Sequence, residues 1–393
     1  MSSALEKETF DFAWFKHHVL SDILPKWLQH SVTDEGLFLP HLDREWSPRG
    51  DGYGTLVSQS RLLYNFSMGY ELTRREEYLS AVESGARFLL EKFRDNDYGG
   101  WFWSCNRNGE ILDSRKDSYG HAFVIFGLSH AYRTAGNKDF KMAALDAWDV
   151  VRKYFRDNYG GLRSQTTRDF KEYGNTKSQN PMMHLFEALL ALGSLEGMEQ
   201  IFTEAEKVAD FVLTRLVRQE DKMLPEIYTL DWKELPAEQG GRVLIGHAFE
   251  WSYLLSSAVE RGFPEVYLSH ALNFLEYGMR IGYDPVNGGV FAQASPEGKV
   301  LSRRREWWDQ CEAARALLHF AILRKRDDLW EPLERTIGFF KKYFIDSDFG
   351  GWYQTVEPDG DVVSHDKGNE WKVDYHAVGM CTEAIRLGGA VRR

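Results

Sequence analysis

The chain has 393 residues, of which 43 % are hydrophobic and 14 % aromatic, enough for a large buried core. Its formal net charge of −11 and the lack of a basic cluster argue against nucleic acid and anionic membranes as partners. Three distant cysteines (105, 311 and 381) suit a reducing cytosol better than a disulfide framework or a zinc knuckle. Residues 1–9 are too polar for a signal peptide and no apolar run reaches membrane length, so we expect a cytoplasmic monomer or homodimer.

A glycine turn followed by an apolar residue recurs along the chain and marks a repeat. The last glycine of each turn is Gly36, Gly100, Gly161, Gly289 or Gly351, so the gaps are 64, 61, 128 and 62 residues. One copy is therefore missing midway through the gap of 128, where the residues are Met-Leu-Pro-Glu (223–226). Six units of about 62 residues nearly exhaust the chain.

Each unit has an amphipathic helix before the turn and a helix that is apolar nearly all round after it. The pattern predicts helices of the first kind at 10–28, 75–93, 137–155, 197–216, 265–283 and 327–345. In the third, Phe140, Ala144, Trp148, Val151 and Phe155 form one apolar stripe. Segments 121–128 and 314–323 are examples of the second kind. Because a helix that is apolar on all sides is buried on all sides, we predict an all-α (α/α)6 barrel of six outer and six inner helices.

Short hairpins at the glycine turns would link each outer helix to the next inner one. No linker interrupts the pattern, so we predict a single domain over residues 1–393. Since the inner helices follow the turns, their N-termini gather around one mouth of the ring. Asn180, which precedes a proline, and Asp374 are the predicted caps of two of these helices.

Histidines lie near the predicted N-termini and carry the first functional hypothesis. His247 and Glu250 are three residues apart, as are His184 and Glu187, which places each pair on one face of a helix. A histidine held beside a carboxylate is a candidate for proton transfer. The other candidates near these N-termini are Arg61, Tyr119, His121, Asn180, Trp251, Trp308, Gln310, Glu312, Trp371 and His376.

Simpler explanations of these residues stay open. A lone histidine is often a core residue with its hydrogen bonds satisfied. Aromatic side chains at the mouth can serve packing or form a platform on which a sugar stacks. Arg61 could merely pair with Glu250 or Glu187. The sequence has no His-Glu-x-x-His, no cysteine pair, no glycine-rich phosphate loop and no Gly-x-Ser-x-Gly. We therefore expect no metal and no nucleotide cofactor.

Four ordered blocks, at residues 180–187, 246–251, 307–312 and 371–376, resemble those of the N-acylglucosamine 2-epimerase superfamily. That superfamily contains N-acylglucosamine, cellobiose and mannose 2-epimerases and aldose–ketose isomerases of mannose or sulfoquinovose. The resemblance implies an (α/α)6 barrel, in agreement with the repeat. It also implies a small-molecule sugar substrate and no cofactor.

The resemblance also implies roles for individual residues. His247 and His376 match the paired acid/base histidines, and His184 matches a histidine linked to ring opening. The other matches are Arg61 to an arginine near the sugar O1 and O2, Glu250 to a glutamate that supports the first base, and Trp308 and Trp371 to stacking tryptophans. We add to the substrate-binding group Tyr119, His121, Asn180, Glu187, Trp251, Gln310 and Glu312.

Two departures from the disaccharide epimerases favour a monosaccharide. Asp309 stands where those enzymes usually have proline, and Ala377 follows the last histidine where they have asparagine. We predict a 2-epimerase of D-mannose and D-glucose that works through an enediolate. The alternatives are a mannose/fructose-type aldose–ketose isomerase and an N-acylglucosamine or cellobiose 2-epimerase. More distant ones are a glycoside hydrolase that uses Glu187, Glu250 or Glu312, and a non-catalytic sugar- or partner-binding module.

Overall fold

Two rings of helices surround one axis in the computed structural model, which describes residues 10–50 and 52–391. The outer ring comprises α1 (12–31), α3 (76–93), α5 (138–155), α7 (199–216), α9 (266–282) and α11 (327–343). The inner ring comprises α2 (Leu56–Thr73), α4 (Ser118–Ala135), α6 (Asn180–Gly193), α8 (Ile245–Val259), α10 (Trp307–Leu323) and α12 (Tyr375–Val391). Each inner helix contacts the next, and α12 contacts α2, which closes the ring. The predicted (α/α)6 barrel is confirmed.

Burial follows the predicted difference between the rings. The stripe predicted on α5 is buried, whereas Asp149 and Arg152 of the same helix are exposed. In α10, every residue from Asp309 to Ile322 is buried. None of the described helices is long and apolar enough to cross a membrane. Residues 1–9, on which the signal-peptide argument rested, lie outside the described residues, and the single domain over 1–393 stays a prediction.

Short strands form a belt at the mouth, which includes the predicted hairpins within units and also pairs between units. The strands are β1 (Tyr53–Thr55), β2 (Ser104–Asn106), β3 (Ile111–Asp113), β4 (Lys116–Asp117), β5 (Gln165–Thr166), β6 (Thr176–Ser178), β7 (Ile227–Thr229), β8 (Val243–Leu244), β9 (Gln293–Ala294), β10 (Val300–Ser302), β11 (Arg305–Glu306) and β12 (Thr355–Val356). The antiparallel pairs β1–β2, β4–β5, β6–β7, β8–β9 and β11–β12 each join neighbouring units. Within a unit, β2 pairs with β3 and β9 with β10, and single bridges such as Arg94–Trp101 join the two sides of the glycine turn. The belt therefore ties each inner helix to the next unit of the ring.

Buried ion pairs repeat with the units. Each joins an aspartate just before a glycine turn to a lysine or arginine 20 or 21 residues later. The pairs are Asp95–Lys116, Asp157–Lys177, Asp284–Arg305 and Asp346–Lys367, with N–O distances between 2.6 and 2.9 Å. Each lysine or arginine of these pairs lies in, or just before, the strand region that leads into an inner helix. The pairs therefore help to hold the strands at the mouth to the outer ring.

Candidate active site

Three histidines at the mouth are each paired through Nδ1 with a buried glutamate. The Nδ1–Oε distances are 3.1 Å for His184 and Glu187, 2.8 Å for His247 and Glu226, and 2.8 Å for His376 and Glu312. All six side chains are buried. Where the glutamate is ionised it can only accept, so the ring donates from Nδ1 and keeps a lone pair on Nε2. Such an imidazole can take a proton from a substrate.

The partner of His247 corrects one expectation. No hydrogen bond or ion pair joins Glu250 to His247 among the described residues; the carboxylate on Nδ1 is that of Glu226, which directly precedes β7. Gln179 Nε2 and Ser178 Oγ also donate to Glu226, at 3.0 and 3.2 Å. Burial alone would raise the pKa of Glu226, but the charge of His247 and these hydrogen bonds hold that pKa below its ordinary value. Glu226 is therefore an ionised acceptor that orients His247.

Glu250 lies near the other two pairs instead. Its Oε1 is 3.9 Å from His184 Nε2, and neither of its oxygens has a hydrogen-bond partner. Burial and the charges of Glu312 and Glu187 raise the pKa of Glu250 well above its ordinary value. These causes favour the protonated acid, because an isolated carboxylate is costly to bury.

The proton shared by His376 and Glu312 can lie on either partner. Burial lowers the pKa of His376 well below its ordinary value and raises the pKa of Glu312 to about 7. When Glu312 is protonated it donates to Nδ1, and the neutral ring then carries its hydrogen on Nε2. When Glu312 is ionised, Nε2 has the lone pair. The pair can thus act as an acid or as a base.

Trp308 lies between the two histidines that the resemblance pairs. Its ring centre is 4.9 Å from that of His247 and 5.6 Å from that of His376. Gly246 makes room for this indole, because a Cβ there would lie 2.4 Å from the Trp308 ring. Trp371 at the rim is 43 % exposed, which leaves part of its ring open to a ligand.

Arg61 reaches the same space and is held by neutral groups. Its Nη1 donates to the carbonyl oxygen of Trp371 at 2.7 Å and its Nη2 to the hydroxyl of Tyr119 at 2.6 Å. Neither Glu187 nor Glu250 forms an ion pair with it, so that simpler explanation of Arg61 is not supported. Since no described carboxylate pairs with the guanidinium, its charge is available to a developing oxyanion.

His121 is not brought to this site. Its Nε2 accepts the backbone N–H of Trp101 at 3.1 Å, and its Nδ1 lies 2.7 Å from the carbonyl oxygen of Asp117. Burial lowers the pKa of His121 to about 3, so the ring is neutral. Gly100 lies against it at a φ of +71°, and a Cβ there would be 2.7 Å from Nε2. Both ring nitrogens are engaged by backbone groups, so His121 anchors a glycine turn and has no free nitrogen for a ligand.

Gln310 anchors the glycine turn of the fifth unit in the same way. Its Oε1 accepts from Val290 N–H at 2.8 Å and its Nε2 donates to Val290 O at 2.9 Å. Gln59 in α2 anchors the first turn likewise, through Phe38 N–H and the carbonyl oxygen of Gly36. The assignment of His121 and Gln310 to substrate binding is therefore corrected: in α2, α4 and α10 the fourth residue of the helix faces the turn, not the mouth.

Trp251 lies behind the site rather than in it. It is fully buried, and its Nε1 donates to Gln179 Oε1 at 2.9 Å. Because Gln179 in turn donates to Glu226, Trp251 helps to orient that carboxylate. This corrects its assignment as a substrate-binding residue.

The side chains of Asn180 and Asp374, predicted to cap two inner helices, have other surroundings in the structure. Asn180 begins α6, but its Oδ1 has no hydrogen-bond partner, and its own N–H donates to Ser178 Oγ at 3.1 Å. The carboxylate of Asp374 accepts from Lys372 Nζ at 2.7 Å and from Trp27 Nε1 at 2.9 Å instead of capping α12. The Oδ1 of Asn180 is buried without a partner, and the assignment of this residue to substrate binding stays a prediction.

Two overlapping groups in the described chain have the residue types of a metal site. One is His184, Glu187 and Glu250, and the other is Glu250, Glu312 and His376, each with its ligand atoms within 4.8 Å of one another. Glu187 and Glu312 already accept or share hydrogen bonds with His184 and His376. The expectation of a metal-free site stays a prediction.

The sequence analysis assigned no role to Glu226, Gln179 or Tyr375. Tyr375 donates to Glu187 Oε2 at 2.5 Å and so completes the surroundings of His184. Glu226 had a detectable signal, since it lies where the glycine turn of the repeat is missing. The one unit without a glycine turn supplies the carboxylate for His247.

Comparison with known proteins gives a consistent result. Residues 36–380 match the model of a family described as N-acylglucosamine 2-epimerase (GlcNAc 2-epimerase). The chain is 25 % identical over 400 residues to a cellobiose 2-epimerase of Bacteroides fragilis, covering 92 % of this chain and 95 % of the relative. It is 25 % identical over 393 residues to a D-mannose isomerase of Marinomonas mediterranea, covering 96 % and 98 %.

A solved structure has the same fold. The crystal structure of a D-mannose isomerase superposes with a TM-score of 0.90 at 23 % identity, covering 95 % of this chain and 97 % of that one. The overall fold therefore has an experimental counterpart of nearly equal length.

Proposed function

Because this chain belongs to the N-acylglucosamine 2-epimerase family, we propose that it is a sugar 2-epimerase of an unphosphorylated aldose, with D-mannose and D-glucose as the preferred pair. One observation carries the proposal. His247 and His376 flank Trp308, and the Nδ1 of each is bonded to a buried glutamate. This arrangement supports proton transfer at two positions around one bound sugar.

The reaction needs such a pair. In the open-chain sugar the aldehyde acidifies the hydrogen on C2, and a base removes it as a proton. The electrons of the broken C–H bond form the C1–C2 double bond of an enediolate, whose negative charge lies on oxygen. A second group then returns a proton to the opposite face of C2. Two imidazoles that address opposite faces can carry out both steps without a cofactor.

The remaining residues have supporting roles in this proposal. Arg61 stabilises the enediolate oxygens, with Tyr119 and the Trp371 carbonyl holding its guanidinium. His184 assists ring opening, and Trp308 and Trp371 pack against the sugar. Glu226 and Glu312 are positioning residues that act through the histidines.

Other activities are less well supported. Return of the proton to C1 instead of C2 would make the protein an aldose–ketose isomerase, and the same site chemistry applies to N-acylglucosamine or cellobiose. A glycoside hydrolase needs two carboxyls free for acid/base work. Glu187 and Glu312 are engaged by histidines here, and Glu250 is fully buried. The geometry therefore favours proton transfer over hydrolysis.

Incubation with single sugars in D₂O, followed by NMR, tests the proposal. The panel is mannose, glucose, fructose, N-acetylglucosamine and cellobiose. We expect mannose and glucose to interconvert with deuterium at C2. Formation of fructose as the main product would identify an isomerase, release of reducing ends from oligosaccharides a hydrolase, and inertness toward all five sugars a binding module.

Chelation tests the cofactor prediction. The proposed steps use only side chains of the chain, so turnover should survive exhaustive treatment with EDTA and need no added nucleotide. The measurement is the initial rate of epimerisation before and after dialysis against EDTA. Loss of turnover that one divalent metal restores would contradict the scheme and point to the cluster around Glu250.

Replacing Glu226 with glutamine tests its positioning role. Glutamine keeps the size of the side chain but removes the charge that orients His247, so we expect turnover to fall by roughly 10- to 10³-fold, as when other orienting carboxylates are lost. KM should change little. Glu234→Gln, at an exposed glutamate of the same hairpin, is the matched control.

A general loss of structure would slow both directions of C2 exchange equally. Removal of Glu226 should instead slow deuterium exchange mainly in the epimer that depends on His247. Equal slowing of exchange in both epimers, or no slowing at all, would contradict the assigned role.

A further inference from the structure

A large cavity lies at the opposite end of the ring from His184, His247 and His376. Its volume is about 610 Å³, within the range of small-molecule sites. All six inner helices line it, and the contributing residues include Met68, His130, Ala191, Ser257, Arg315 and Thr382. Most of these lie in the C-terminal halves of their helices, whereas the histidines lie near the N-termini. The cavity is therefore on the ring axis, below the site at the mouth.

We call this cavity the base cavity, because it lies at the base of the ring. At its inner end, Glu187 offers a hydrogen-bond acceptor and Arg315 offers donors. Glu187 lines it and accepts through Oε2 from Tyr375, while no described residue donates to Oε1. Arg315 lines it too, is only 8 % exposed, and has no hydrogen-bond acceptor for Nε. Its nearest carboxylate oxygen, on Glu312, is 3.6 Å away. Apart from Glu312, no described residue accepts from Arg315, so its Nη groups can donate to a ligand in the cavity.

Arg315 is held in place by packing instead of hydrogen bonds. Its guanidinium lies 3.8 Å from the centre of the Tyr253 ring. On the other side it contacts α12 at Gly379, where a Cβ would be 3.2 Å from Nη1. The absence of a side chain at that glycine allows the guanidinium to face the cavity with its N–H groups unoccupied.

The charge of the lining argues for a neutral ligand. Its charged residues are four arginines (133, 261, 315 and 386) and four glutamates (71, 187, 260 and 383), so the formal charges cancel. Burial and the nearby Arg133 and Arg261 lower the pKa of His130 well below its ordinary value, so it adds no charge. An ion would add a net charge beside the buried side chains of Glu187 and Arg315, which is costly.

The other lining groups suit a polyhydroxylated molecule. A hydroxyl can accept from Arg315 and donate to Glu187 at once. The rings of Tyr64, Phe126 and Tyr253 provide apolar faces for C–H groups. We propose that the base cavity is a second binding site, for a neutral sugar or sugar alcohol, distinct from the site of the histidines.

A ligand in the base cavity would contact residues that hold the catalytic histidines in place. Glu187 is bonded to His184, and Arg315 lies beside the glutamate of His376. Binding at the base and turnover at the mouth should therefore influence each other. This coupling rests on the proposed function, but binding itself does not.

Equilibrium dialysis with radiolabelled D-mannitol tests the site. Mannitol has no carbonyl group and is not turned over. Ala191→Trp places an indole in the cavity from α6, two turns away from His184, and Ala191→Ser is the matched control. We expect Ala191→Trp to lose one equivalent of bound mannitol relative to the wild type, and Ala191→Ser to lose none. Equal binding by the wild type and Ala191→Trp would overturn the proposal.

A second variant and a second ligand complete the experiment. If Ala191→Trp does not fold, Ser194→Trp at the exposed rim of the cavity replaces it, with the same expected loss. Inorganic phosphate is dialysed in parallel, and its displacement by the tryptophan in place of mannitol would show an anion site and overturn the proposal. Because mannitol binding is measured without turnover, failure here is distinguishable from failure to epimerise sugars.

Discussion

Replacing His247 or His376 with asparagine is expected to leave the fold intact and to lower epimerisation by roughly 10²–10⁴-fold or more, the usual loss of a general acid or base. Asparagine fills similar space and can bond the partner glutamate, but it cannot take or give a proton. The measurement is the rate of mannose–glucose interconversion followed by NMR. His365→Asn, at an exposed histidine of the mouth region, is the matched control and should be neutral.

The two variants should differ in which epimer they label. If each histidine addresses one face of C2, the histidine that remains can still exchange the C2 hydrogen of the epimer it faces. Each variant should therefore incorporate deuterium from D₂O into one of the two sugars, and the two variants into different ones. Labelling of the same epimer by both, or interconversion near the wild-type rate by either, would show that the opposed-base assignment is wrong.

Replacing Asp95 with asparagine should destabilise the protein by roughly 3–5 kcal/mol, the cost of breaking a buried ion pair on one side. Lys116 is fully buried, and its Nζ donates to Asp95 Oδ2 at 2.9 Å. No other described carboxylate pairs with it, so the substitution leaves an uncompensated ammonium in the interior. Asparagine keeps the oxygen that accepts from the turn residues Asp97 and Tyr98. Urea unfolding measures the loss.

Asp97→Asn is the matched control for this experiment. Asp97 is bonded to Arg168 at the surface, where an ion pair is worth about 0–1 kcal/mol. The double variant Asp95→Asn/Lys116→Met should recover part of the loss, because it removes the stranded charge. Equal unfolding midpoints for Asp95→Asn and Asp97→Asn would contradict a stabilising role of the repeated buried pairs.

The pH dependence of Asp95→Asn has a definite sign. Burial already lowers the pKa of Lys116 to about 8 in the presence of Asp95. Without that carboxylate the folded state binds the proton still less readily, so the unfolded state holds more protons. Stability of the variant should therefore rise as the pH rises toward the ordinary pKa of lysine.

The sequence by itself determined the architecture and one of the three histidine pairs. The glycine turns and the two apolar patterns recur with a fixed period, so six outer and six inner helices follow from local rules. The pairing of His184 with Glu187 is equally local, because residues three apart lie on one face of any helix. That same rule failed for His247 and Glu250, since sharing a face does not decide which way a ring nitrogen points.

Only the tertiary structure decided the other two pairs and the direction of several side chains. Glu226 is 21 residues from His247 and Glu312 is 64 from His376, so their contacts exist only after the ring has closed. His121 and Gln310 lie near helix starts like the site residues, yet they turn toward the glycine turns that they anchor. The base cavity likewise combines residues from all six inner helices. Helix geometry fixes neighbours within about four residues, whereas these arrangements depend on how six helices meet around one axis.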